Sequence, residues 1–189
     1  MTIDPEMHGG INMRFGHNDE TGQMAAEERI KIFDTLIRIK AKTIIDVGTW
    51  KGYGSTYIAA EVAHRTDGVV HTIECNQDLS DSAKARYEAE LPHLAKRITF
   101  HCGNSTGVIE DICSRTMDSI DAIILDGGVS VEDFRAVKPY LSKACVVVCH
   151  DWLEGKCAGL AELLASEKIW TLIEYDTINT YDMAIWQRA

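Results

Sequence analysis

The chain reads as an α/β protein built on a doubly wound parallel sheet, and three observations carry that reading. From residue 43 onward, short runs of branched and apolar residues alternate with stretches of helical period. The first such run, Thr43 to Val47, passes through a glycine-rich turn directly into a helix. The chain closes on two apolar runs too near each other for a crossover helix, so those two pair antiparallel.

Taken in order, Met1 to His17 has no sustained period and carries Gly9, Gly10 and Gly16, so an irregular arm is expected. From Thr21 the pattern turns helical, with Ala26, Ile30, Phe33 and Ile37 on one stripe and Glu27, Arg29, Lys31 and Arg38 off it. Asn18 and Asp19 are the expected caps. Strand one is Thr43 to Val47, and its helix runs from Ser55 to about His64, closed by an Asp67-Gly68 turn. Val69 to Glu74 is strand two. Leu79, Ala83, Tyr87 and Leu91 give the next helix, which stops near Pro92. Arg97 to Cys102 is strand three, and the turn Gly103-Asn104-Ser105 opens a helix through Val108, Ile109 and Ile112.

Ile120 to Asp126 is strand four, a nearly unbroken apolar run of the kind a parallel sheet buries on both faces. Val131, Phe134 and Val137 mark a helix disturbed at Pro139. Ala144 to Cys149 is strand five, and Leu160, Leu163 and Leu164 mark a last long helix. Ile169 to Tyr175 and Asp182 to Gln187 form the closing hairpin.

Composition limits the function. At 189 residues and 46% hydrophobic content, one domain spanning 1–189 is expected, with residues 1–40 as arm and helix and 41–189 as core. No apolar run reaches the length of a membrane span, and the N-terminus lacks a secretory pattern, so a cytoplasmic protein is expected with no membrane partner. A formal net charge of −10 opposes nucleic-acid binding, which needs clustered Lys and Arg. The six cysteines show no Cys-x-x-Cys spacing; Cys75, Cys102, Cys145 and Cys149 lie in or beside strands, and all six are expected reduced. The oligomeric state is left open, a homodimer among the alternatives.

The glycine spacing points to a particular ligand. A pyrophosphate-binding turn uses Gly-x-Gly-x-x-Gly; here the order is Gly48-x-x-x-Gly52-x-Gly54, with Asp46 before it and Glu74 ending strand two. An acid at the first strand tip would repel a pyrophosphate and suits an ammonium group, whereas Glu74 suits two ribose hydroxyls. That combination resembles the class I S-adenosylmethionine-dependent methyltransferases. The stretch Ala-Lys-Thr-Ile-Ile-Asp-Val-Gly-Thr-Trp-Lys-Gly-Tyr-Gly-Ser, Ala41 to Ser55, is similar to the catechol and caffeoyl-CoA O-methyltransferase branch and its bacterial sugar- and antibiotic-modifying relatives. The resemblance implies a Rossmann-like sheet of order 3-2-1-4-5-7-6 with strand 7 reversed. It also implies S-adenosyl-L-methionine as cofactor and a small-molecule methyl acceptor as substrate.

Ligands of such sheets bind beyond the carboxyl ends of the strands. Gly48, Gly52 and Gly54 would bring backbone against the methionine half, with Asp46 and Ser55 near its charged groups and Glu74 on the ribose. Asn104 and Ser105 match the turn that contacts adenine in the resembled family, or equally cap a helix. Asp126 and Asp151 end strands the predicted order makes neighbours, about 4.8 Å apart, so both carboxylates reach one point. With His150 they form a candidate set for Mg²⁺. The chain departs from the family at Asp151-Trp152, where catechol-type enzymes carry Asp-Asn, and at Val129, where a lysine base or a histidine is expected. That leaves His150 and Asp126 as candidate catalytic residues, His150 as base, against the alternative of a histidine bonded to backbone. Two other functions stay open: a cofactor-binding module without catalysis, and a nicotinamide-dependent oxidoreductase.

Overall fold

The computed structural model describes residues 24–115, 119–128, 130–151, 156–157, 159–176 and 183–189. The expected arm over Met1 to His17, the caps Asn18 and Asp19, Val129 and Trp152 lie outside the described residues.

Seven strands form one sheet: β1 (Thr43–Val47), β2 (Val69–Glu74), β3 (Ile98–Cys102), β4 (Ile120–Leu125), β5 (Leu141–His150), β6 (Trp170–Asp176) and β7 (Met183–Arg188). Their order is 3-2-1-4-5-7-6, as the resemblance implied. β1 to β5 pair in parallel, and β7 runs antiparallel between β5 and β6. The helices are α1 (Ala26–Arg38), α2 (Ser55–Thr66), α3 (Gln77–Glu90), α4 (Pro92–Ala95), α5 (Ser105–Arg115), α6 (Ser130–Val137) and α7 (Leu160–Ser166).

The sheet is buried on both faces because its central strands are apolar at successive positions, not alternate ones. All five residues of β1 are buried. Ile44, Ala122, Ile124, Val146 and Val148 meet α1 and α2 through Ile32, Phe33, Leu36, Ile58 and Val62. Ile45, Val47, Ile123, Leu125 and Val147 meet α5, α6 and α7 through Ile109, Ile112, Phe134 and Leu160. Tyr57, Tyr87, Leu91 and Leu94 close a third cluster beside β3.

Three elements differ from expectation. α1 buries Phe33 of the expected stripe but not Ile30 or Ile37, which are half-buried; its inner face is Glu28, Arg29, Ile32, Phe33 and Leu36. The apolar residues alone fit either stripe, and the inward turn of Glu28 and Arg29 decides between them. Pro92 starts a separate turn of helix at its first position, where its missing N–H costs nothing, in place of simply ending α3. The expected last long helix covers only seven residues, Leu160 to Ser166. Gly68 is sterically fixed, since a Cβ there would lie 2.3 Å from the Lys42 carbonyl oxygen.

Candidate active site

The loop after β1 is built by backbone bonds and three residues of positive φ. Gly48 N–H and Thr49 N–H both donate to the Ile73 carbonyl, at 3.0 and 3.2 Å, tying the loop to β2. Gly48 has φ +105°, and a Cβ there would meet the Asp126 carbonyl carbon at 3.0 Å, so the loop lies directly on the tip of β4. Gly52, φ +82°, faces Tyr87, whose hydroxyl donates to the Gly52 carbonyl at 2.6 Å. Its task is packing. Trp50 sits at φ +45°, a conformation costing a bulky residue on the order of 1–3 kcal/mol. Gly54 is the N-cap of α2 and Ser55, buried, its first residue.

What holds Trp50 there is Glu74. Trp50 N–H donates to Glu74 Oε2 at 2.8 Å, and Asn76 N–H donates to Oε1 at 3.1 Å. The carboxylate ending β2 is thus fixed by two backbone donors, one per oxygen, with lone pairs left for further partners. Asp46 is fully buried: Thr56 and Thr72 hydroxyls donate to its Oδ2 at 2.6 and 2.8 Å, while its buried Oδ1 has no hydrogen-bond partner among the described residues. Burial raises its pKa to about 6 against the lowering effect of the hydroxyl donors.

At the third strand tip, Asn104 Oδ1 accepts from Gly107 N–H at 3.3 Å, a capping bond on α5. The Ser105 hydroxyl donates instead to Asp133 of α6 at 2.9 Å, joined by Thr106 at 2.8 Å. Asn104 also lines an open concavity of about 550 Å³ with Phe100, His101, Cys102 and Val108; it contains none of the acids Asp46, Glu74, Asp126 or Asp151.

The tips of β4 and β5 carry the densest charge. Asp126 and Asp151 converge, and His150, the third member of the candidate set, turns into the same point. Its Nδ1 lies 3.1 Å from Asp126 Oδ1 and 3.4 Å from Asp151 Oδ1. Asp151 itself takes a left-handed conformation, φ +51°. Two further residues join that the sequence reading missed. Glu28 of α1 approaches His150 Nε2 at 3.6 Å, and the Lys156 ammonium contacts Asp126 Oδ1 at 3.2 Å and Asp151 Oδ2 more closely. Burial disfavours the His150 imidazolium, but hydrogen bonds to Asp126, Asp151 and Glu28 outweigh it and push the pKa to about 12. Burial likewise opposes the Asp151 carboxylate, and His150 and Lys156 overcome it, holding the pKa at about 2. An imidazolium so held has no lone pair to accept a proton, which weighs against the expectation of His150 as a base. Glu28 could have been suspected from its spacing to Ile32 on the inner helical face; Lys156 lies in a turn and has no local signal.

As a metal site this donor set fits Mg²⁺ poorly. Ligand atoms of Asp126, His150 and Asp151 do lie within 4.8 Å of one another. One of the three is a nitrogen, however, and Mg²⁺ prefers oxygen. The carboxylate oxygens already face the ammonium of Lys156 and the ring N–H of His150.

Residues 45–152 match a family described as a methyltransferase domain. The chain belongs to that family and is an enzyme of the methyltransferase class, which sets aside the non-catalytic module and the nicotinamide oxidoreductase. Solved structures share the fold at low identity. The O-methyltransferase TomG of Streptomyces achromogenes, involved in tomaymycin synthesis and solved with S-adenosylmethionine, is 16% identical, with 99% of each chain covered and a TM-score of 0.72. An O-methyltransferase of Bacillus cereus in complex with S-adenosylhomocysteine is 16% identical, covering 97% of this chain and 87% of its own, at a TM-score of 0.73. A Staphylococcus aureus protein provisionally named a caffeoyl-CoA O-methyltransferase is 19% identical, covering 97% and 96%, at 0.77. No curated protein matches the chain. Among the described residues no helix is long and apolar enough to cross a membrane.

Proposed function

We propose that the protein transfers the methyl group of S-adenosyl-L-methionine to a hydroxyl of a small-molecule acceptor. The observation that carries this reading is Glu74: a buried carboxylate at the tip of β2, aimed by two backbone N–H groups and keeping lone pairs for a pair of ribose hydroxyls. Gly48 and Gly54 would bring backbone to the methionine half, with Ser55 at the positive end of α2 near its carboxylate. Asp46, with Oδ1 unpartnered among the described residues, supports an ammonium group nearby. Asn104 stays a candidate adenine contact; the hydroxyl of Ser105 is turned to Asp133, so its part in adenine binding would be through backbone.

In the transfer, an oxygen lone pair of the acceptor attacks the methyl carbon, the carbon–sulfur bond breaks, and the sulfonium leaves as a neutral thioether. Alignment supplies much of the barrier reduction, since the sulfonium is already a strong electrophile. The hydroxyl proton needs an acceptor. Asp126, whose side chain is 22% exposed against 3% for each of His150 and Asp151, is the carboxylate assigned to take it. His150 holds that carboxylate in position.

Calorimetry of S-adenosylmethionine, S-adenosylhomocysteine and NAD against the full chain tests the cofactor. Micromolar binding of the first two and none of NAD is expected; the reverse preference rejects the reading. Radiolabel transfer to a panel of phenols and sugars then identifies the acceptor class.

A further inference from the structure

Lys156 stands where a divalent ion would have to sit. Its Nζ lies 3.2 Å from Asp126 Oδ1, in close contact with Asp151 Oδ2, and 3.5 Å from the Asp126 carbonyl oxygen at the margin of hydrogen-bond range. His150 Nδ1 lies against the same Asp126 oxygen and the other oxygen of Asp151. A magnesium ion would need those oxygens at about 2.1 Å and so would have to displace the ammonium. Two buried or half-buried carboxylates side by side need positive charge between them, and this chain provides it from its own sequence.

We propose that Lys156 is the built-in cation of the acceptor site: its ammonium bridges Asp126 and Asp151, and methyl transfer by this protein requires no divalent metal. The lysine side chain stays 38% exposed, so the ammonium is held by acids behind it while presenting to solvent in front. A hydrogen bond from it to an acceptor hydroxyl favours the ionised oxygen, the better nucleophile. An ammonium grips one oxygen where a metal chelates two, so an acceptor with a single ionisable hydroxyl, such as a monohydric phenol, suffices. The inference rests on the methyltransferase reading for its catalytic part only; the electrostatic part stands on the acids and the lysine.

The test uses the full chain and Mn²⁺ as a probe, followed by electron paramagnetic resonance, with Mg²⁺ in thermal-unfolding scans. Wild type is expected to bind no Mn²⁺, to show the same Tm with and without Mg²⁺, and to keep its turnover in EDTA. Lys156→Met uncovers the carboxylate pair: one Mn²⁺ per chain should now bind, Mg²⁺ should raise the Tm of the variant, and kcat/KM should fall roughly 100-fold, the scale for losing one oriented donor at a developing charge. Lys156→Arg keeps the charge and should still exclude Mn²⁺. Stoichiometric Mn²⁺ binding by wild type overturns the proposal, as does a folded Lys156→Met that binds none. If Lys156→Met does not fold, wild type and Lys156→Arg decide: Mn²⁺ on either overturns it, and its exclusion from both supports it. Binding of S-adenosylhomocysteine is measured in parallel. Its failure rejects the methyltransferase cofactor reading and leaves the metal result intact.

Discussion

The tip of β2 and the tips of β4 and β5 both hold acids, and they hold them by opposite means. Glu74 is fixed by backbone N–H groups of Trp50 and Asn76, neutral donors that no substitution short of proline removes. Asp126 and Asp151 are fixed by side-chain cations, His150 and Lys156, with Glu28 reaching in from α1. An acid held by amides keeps its place whatever the neighbouring side chains are, so it suits a ligand that never changes. An acid held by cations is coupled to each of them, so the tips of β4 and β5 are open to retuning by substitution while the tip of β2 is not.

Breaking the cation-held side should have the largest effect. His150→Ala leaves Asp126 and Asp151 to Lys156 and leaves Glu28 with the Ala25 N–H, and removing one member of a buried charge set typically costs about 3–5 kcal/mol; urea unfolding at neutral pH checks it. Asp46 sharpens the contrast, because its donors are hydroxyls and lack positive charge. Its folded pKa of about 6 lies above its ordinary value. The native state therefore holds the proton more tightly, and stability falls as pH rises from about 4 to about 6. The contribution is up to about 3 kcal/mol. Asp46→Asn should remove that slope, so the wild-type-minus-variant difference in unfolding free energy should decline over that window and flatten above it.

On the amide-held side, Glu74→Ala is expected to weaken S-adenosylmethionine binding by about 1–3 kcal/mol with little change in unfolding, and an unchanged calorimetric affinity removes Glu74 from the ribose. The smallest effect belongs to Ser105→Ala. It deletes one of two hydroxyls on Asp133 and should cost about 1 kcal/mol of stability while cofactor affinity holds; a matching loss of affinity would show that the side chain faces adenine after all.

How much of this was legible follows the same division. Strand order, the reversed β7 and the acids at four strand tips can be read from local pattern plus a family resemblance, because each is set by residues adjacent in sequence. Glu74 was legible for that reason. The role of Gly52 was not: its partner Tyr87 is 35 residues away, and the carbonyl bond to that ring is visible only in three dimensions. Lys156 was hidden more deeply. The sequence shows Val129 where a basic residue was expected, and nothing near Val129 says that a lysine arrives from beyond β5. The surroundings of His150 were hidden too, because its pKa depends on three carboxylates, of which Glu28 lies 122 positions earlier. Long-range charge has no period to read.

Gly48 has one last consequence. Its missing side chain lets the first loop rest on the peptide after Asp126, and Asp126 N–H is itself bonded to the Val47 carbonyl at 2.9 Å. The loop after β1 and the tip of β4 thus share a single joint with no slack in it. A methyl group added at residue 48 acts as a wedge in that joint, levering the carboxylate of Asp126 off its aim without touching it.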